Sequence, residues 1–165
     1  MKLIDHLGSA KQYIFRFEYL QDFSATDAKS FEYWQKNGNI DEQSVKEWWD
    51  FLEGFHKQGV VTKRVRRIVR PMNEYTRFEL EVHKKTAKRG DKIRTIADDV
   101  YQTLDISFKD FWLIDDTTVI DMNYDDSGRY LGFSVNPRVG EYIKAKDLLW
   151  RHALPIEDAI NVKLL

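Results

Sequence analysis

The four residues Phe111-Trp112-Leu113-Ile114, set between Asp110 and Asp115-Asp116, constrain the fold more than any other stretch of the chain. Side chains alternate between the two faces of a strand, so consecutive large apolar residues require cover on both sides. The run therefore predicts a central strand of a sheet with helices packed above and below it.

The flanking segments supply that architecture. Tyr13 to Leu20 alternates Phe15, Phe17 and Tyr19 with Arg16 and Glu18, which predicts a half-buried strand. Ser24 followed by Asp27 predicts a capped helix start, and Asn37-Gly38 its end. A second helix follows Asp41 and repeats Val45, Trp48, Trp49, Leu52 and Phe55 before stopping at Gly59. That spacing assigns the tryptophan pair to core packing. Val60 to Arg70 predicts a long β-branched strand closed by Pro71. Asn73 caps a helix with the face Tyr75, Phe78 and Val82, ended by Gly90. A short strand, Lys92 to Ala97, then completes a βαβ crossover with a parallel pair.

Beyond the central run, Asp115-Asp116 and Asp125-Asp126-Ser127-Gly128 carry turn chemistry. Thr118 to Tyr124 and Arg129 to Val135 complete a meander. Arg138 to His152 is a helix, and Pro155 begins a last short one. The fold class is α/β, or α+β, with a mixed central sheet and helices on both faces. With 165 residues, 42% of them hydrophobic, the chain fits one domain over residues 1–165. Within it, residues 22–58 form a helical pair inserted near the N-terminus and residues 60–165 the α/β core.

Several chemistries are excluded or disfavoured. There is no cysteine, hence no disulfide, thiolate nucleophile or thiolate metal site. Asp5 and His6 interrupt any apolar signal core, and no window approaches a membrane span, so a cytoplasmic protein is expected. His6, His56, His83 and His152 make no HExxH pair, and there is no GxSxG elbow or Gly-rich phosphate loop. The two aspartate turns would lie roughly 20 Å apart at ~3.3 Å per residue, too far for one calcium site, and YDDSGRY lacks the length of an EF-hand loop. No metal, cofactor or catalytic residue is expected.

Charge is unevenly distributed: residues 1–56 sum to -4, residues 57–94 to +9 and residues 95–165 to -6. Pairing of basic and acidic elements within the fold ranks ahead of a nucleic-acid footprint, which stays as the alternative, either as a binding protein or as a nuclease-like toxin. On a strand, Arg64, Arg66 and Arg70 share one face, able to grip phosphate or carboxylate, or else to protect an exposed sheet edge. Where Arg70-Pro71-Met72-Asn73 runs from a strand into a helix N-terminus, backbone donors favour an anion.

RRIVRPMNEYTRFELEV, DFWLIDD, YDDSGRYLGF and the Trp150 helix together resemble a bacterial family named only as a domain of unknown function, number six-eight-seven-nine. The resemblance runs from Phe15 onward. It implies a small protein working beside a helix-turn-helix regulator, and no catalytic residue.

The order of elements is also similar to one half of the phospholipase D fold, which certain sugar-sensing regulator domains share. Active members carry HxKxxxxD, in which the histidine attacks phosphorus and the lysine holds its oxygens. Placing Asp115 at that aspartate puts Phe108 at the histidine and Asp110 at the lysine; placing Asp116 there gives Lys109 and Phe111. Neither register has a nucleophile, and His83-Lys84-Lys85 with Asp91 is one residue too long. The likeness implies a degenerate phospholipase D-like fold acting as a non-catalytic sensor or regulatory domain. Its ligand pocket is expected from Arg66, Arg70, Asn73, Tyr75, Glu79 and Asp110, taking a small anionic ligand or serving a DNA-binding regulator, with no membrane partner.

Overall fold

The computed structural model describes residues 1–161. Its centre is a seven-stranded mixed sheet in the order β6-β5-β4-β1-β2-β3-β7. The strands are β1 (Tyr13–Glu18), β2 (Val61–Ile68), β3 (Lys92–Ala97), β4 (Phe111–Ile114), β5 (Thr118–Tyr124), β6 (Tyr130–Asn136) and β7 (Leu154–Pro155). β1, β2 and β3 run parallel, and the remaining neighbours are antiparallel. The helices are α1 (Leu3–Gly8), α2 (Ala28–Asn37), α3 (Glu42–Lys57), α4 (Glu74–Ala87), α5 (Asp98–Gln102), α6 (Val139–His152) and α7 (Ile156–Asn161).

β4 is buried along its whole length, as four apolar residues in a row require. Phe111 and Leu113 enter a core with Phe15, Phe17, Val65, Tyr101, Tyr142 and Leu149, which packs α5 and α6 on one face. Trp112 and Ile114 enter another with Leu7, Ile14, Phe55 and Ile120, which packs α1 and α3 on the opposite face. α2 and α4 extend that second layer through Phe31, Trp34, Tyr75, Phe78 and Val82. The β2–α4–β3 crossover has the expected parallel register, Arg66 beside Thr95. Among the described residues no helix is long and apolar enough to cross a membrane.

Some expectations need correction. β1 is not half-buried: Arg16 and Glu18 are buried along with Phe15 and Phe17. β1 is flanked by β4 and β2. β2 is likewise interior, so its arginines do not guard an exposed edge. It ends at Ile68, and Arg70 lies beyond it, exposed, in the turn. α2 starts three residues later than Ser24 implied, after Asp27, because residues 24–26 form a turn first. Leu154-Pro155 pairs with β3 before the last helix begins. Asp41 and Asn73 do cap α3 and α4, accepting from Gln43 N and Thr76 N.

The aspartate clusters close turns. Asp115 and Asp116 both sit in the left-handed region, at φ 51° and 54°, which aspartate adopts more readily than most residues. The Asp115 carboxylate accepts from Lys11 N (2.7 Å), Gln12 N (2.7 Å) and Tyr13 N (2.9 Å), fastening the β4–β5 hairpin to the start of β1. Asp125 accepts from Ser127 N, Ser127 Oγ and Arg129 N, forming the β5–β6 turn. That turn docks on the loop before α2: Thr26 Oγ1 donates to Gly128 O (2.9 Å) and accepts from Tyr130 N (3.0 Å).

Candidate functional site

The sheet face beneath α2, α3 and α4 carries charge where a core would ordinarily be apolar. Strand periodicity puts Arg16 and Glu18 of β1, and Arg64 and Arg66 of β2, on this one face. Parallel register sets Arg16 beside Arg64 and Glu18 beside Arg66. Glu18 takes Arg64 Nη1 on one carboxylate oxygen and Arg66 Nη1 on the other. Burial alone would raise the pKa of this carboxyl; Arg64, His83 and Arg66 outweigh it and hold the group well below the usual carboxylate range. Arg66 is fully buried, and Arg64 also faces Asp91 at 3.8 Å.

α4 brings the second half of the cluster. Tyr75, Glu79 and His83 follow one another at four-residue spacing on its inward face. His83 Nε2 lies 3.4 Å from Glu18 Oε1 and 3.5 Å from Glu79 Oε2. Glu79 Oε2 lies 3.9 Å from Arg66 Nη1. The Tyr75 hydroxyl donates to Glu79 Oε1 (2.9 Å), with Asp27 Oδ2 at 3.4 Å. Asp27 is pushed up to about 6 by burial and then by the neighbouring Glu79 charge. Burial and the same two carboxylates raise the Tyr75 phenol, so it stays a donor.

Above this cluster a cavity of about 270 Å³ opens between α2, α3, α4 and the sheet. Arg64 and Trp112 form its floor, Ile40, Val45, Trp48 and Phe78 its apolar wall, and Asp27, Glu79 and His83 its polar wall. The Trp112 ring has the Arg16 and Arg64 guanidiniums 5.4 and 5.6 Å from its centroid and Trp48 edge-on at 5.9 Å. Two buried nitrogens of lining residues, His83 Nε2 and Trp112 Nε1, have no hydrogen-bond partner among the described residues.

Glu18, Glu79 and His83 offer ligand atoms within 4.8 Å of one another, a spacing suited to a cation. Both Glu18 oxygens are already held by guanidiniums, so a metal there would have to displace two fixed positive charges.

The six residues expected at a pocket separate into three groups. Arg66, Tyr75 and Glu79 come together in the buried cluster, and of the three only Glu79 lines the cavity. Asp110 belongs to the same charged face but not to the cavity: it accepts from Tyr19 N and Leu20 N (both 3.2 Å) and faces Arg16 at 3.4 Å. Burial raises its pKa despite Arg16. It lines a separate cleft beside β5. Arg70 and Asn73 do not contribute. The strand-to-helix junction expected to bind an anion is filled by Gln21, which accepts from Val69 N and donates to Arg67 O. Asn73 is occupied with Thr76 N and Gln21 O.

Asp27, Trp48, Trp112, Glu18 and His83 are site residues that sequence reasoning did not select. The readable signal was charge complementarity at equal spacing: Arg16 and Glu18 on one strand, Arg64 and Arg66 on another.

No curated protein matches the sequence. One family model does, across residues 2–160, which is nearly all of the chain. The protein therefore belongs to the family described as a domain of unknown function, DUF6879.

Proposed function

We propose that the protein is a non-catalytic ligand-binding domain, taking a small molecule in the cavity under α2, α3 and α4. Its output is regulatory, through the cytoplasmic helix-turn-helix partner that the family resemblance implies. The observation that carries this reading is the pair of unpartnered nitrogens, His83 Nε2 and Trp112 Nε1, on residues only 5% and 8% exposed that line the cavity. A buried polar group left without a partner costs about 1–3 kcal/mol. A concave site with apolar walls and a few convergent polar groups is what small-molecule recognition requires.

Two further features support a non-catalytic role for the positions that the phospholipase D likeness would make catalytic. Phe108, at the place of the nucleophile, stacks on Tyr142 with 3.9 Å between ring centroids. Asp115 is committed to three backbone amides. The nucleic-acid alternative loses its strongest residues, because Arg66 and Arg67 are buried and paired with Glu18 and Asp98. Exposed cations remain along α4, at Arg77, Lys84 and Lys88.

Native mass spectrometry of the full chain, incubated with a small-molecule extract of its host, tests the reading. A retained small molecule that the cavity-filling Val45→Trp variant no longer holds is expected. A chain that retains nothing, yet binds mixed nucleic acid with steep salt dependence, would overturn it.

A further inference from the structure

The cavity has one wall on which two carboxylates stand side by side. The guanidiniums of Arg64 and Arg66 are committed to Glu18. On the polar wall, Asp27 and Glu79 share one phenolic proton, that of Tyr75, at 3.4 and 2.9 Å. Beside Glu79, His83 is buried, and its Nε2 has no hydrogen-bond partner among the described residues. That nitrogen faces the Glu18 and Glu79 carboxylates at 3.4 and 3.5 Å, which makes it a donor; Asp27, Glu79 and His83 line the same cavity.

We propose that this wall recognises a protonated amine, with the ammonium donating to Asp27 and Glu79 and an apolar body lying against Trp48 and Val45. This rests on reading the cavity as a ligand site and specifies what it takes. An ammonium carries three donors and no acceptor, matching two neighbouring carboxylates that share the single Tyr75 hydroxyl as donor. Its bonds to carboxylates are charge-assisted, and its charge cancels the repulsion between them. The indole of Trp48 on the adjoining wall favours a cation further. Trp112 Nε1 on the floor offers a donor to an acceptor elsewhere on the ligand.

The sign is opposite to the small anion that the row of arginines suggested, because folding places Glu18 between those arginines and leaves the acidic wall facing the cavity. A divalent metal on Glu18, Glu79 and His83 is the rival occupant. It must expel two guanidiniums from Glu18, whereas an amine on Asp27 and Glu79 leaves them in place.

The test is calorimetry and thermal shift on the full chain with tryptamine and phenethylamine, against indole-3-propionate and 3-phenylpropionate, which have the same bodies and opposite charge. Zinc and manganese chloride form a separate arm. The amines are expected to bind and the acids not, with affinity falling at least tenfold in Asp27→Asn and in Glu79→Gln. Asp27→Asn removes a repulsion and keeps the fold, so its lost binding reads recognition rather than stability. Failure of both amines, equal binding of the acids, or amine binding unchanged in both variants overturns the amine assignment. So does metal binding that excludes the amines. None of these results removes the cavity as a ligand site, which the extract experiment decides separately.

Discussion

Glu18 and Arg66 stand side by side in the register of two parallel interior strands, and their side chains meet where neither has access to water. Removing one member of such a pair strands the other, at a typical cost of about 3–5 kcal/mol. Glu18→Gln leaves the buried guanidiniums of Arg64 and Arg66 with only more distant counter-charges, Asp91 at 3.8 Å and Glu79 at 3.9 Å. The unfolding free energy from urea titration should fall by that amount, through a lower midpoint at an unchanged slope. A loss below about 1 kcal/mol would mean that water reaches the cluster.

Asp27 makes stability depend on pH in the less usual direction. Its carboxyl is raised from 3.8 to about 6 by burial and by Glu79, so between those values the folded chain holds more proton than the unfolded one. Stability contributed by this group is complete below pH 4 and is lost as pH rises through 6, by roughly 1–2 kcal/mol after allowing for partial exposure. Asp110, raised chiefly by burial, adds a slope of the same sign, while Glu18 and Asp115, both lowered, lose their contribution as pH falls. Chemical denaturation of wild type and Asp27→Asn at several pH values isolates the Asp27 part. The variant should be the more stable at pH 7 and equal at pH 4.

Asp115 holds three backbone amides of another segment and occupies a left-handed turn position. Burial raises its pKa, and the amides of Tyr13, Lys11 and Gln12 more than offset this, leaving it below the ordinary value. Asp115→Ala is expected to cost about 2–4 kcal/mol from lost acceptors and backbone strain. Asp115→Asn, which tolerates the same conformation, should cost less. Equal losses would show that the backbone conformation is irrelevant there.

Gly128 combines φ +82° with a close approach: a Cβ would lie 2.0 Å from Asp22 O. Gly128→Ala must move the β5–β6 turn off the loop that precedes α2. A loss of at least about 2 kcal/mol is expected. Amide exchange should quicken at Tyr130, whose N–H bonds Thr26. An unperturbed melting curve would contradict the docking.

Long elements were legible because periodicity and caps agreed. α3 shows its apolar stripe from Val45 to Phe55 and the Asp41 cap, and β3 matches its expected span residue for residue. α1, α5 and β7 were not read, since six, five and two residues are too few for a period to emerge. The site was only partly readable for a different reason. Alternation of Phe15 and Phe17 with Arg16 and Glu18 ordinarily marks a solvent-facing side, and nothing within that strand says otherwise. Only the matching charges of Arg64 and Arg66, some 48 residues away, reveal that the polar side is also interior. Arg70 and Asn73 were misplaced because Gln21, an unremarkable loop residue in sequence, fills the junction they flank.

Thr26, clasped on both sides by the hairpin of β5 and β6, is the immediate neighbour of Asp27. β6 is the outermost strand of the sheet, with Leu131 and Val135 open to solvent. A protein that added a strand along that border would thus be gripping the far end of a short lever, one peptide unit from the carboxylate that faces the cavity.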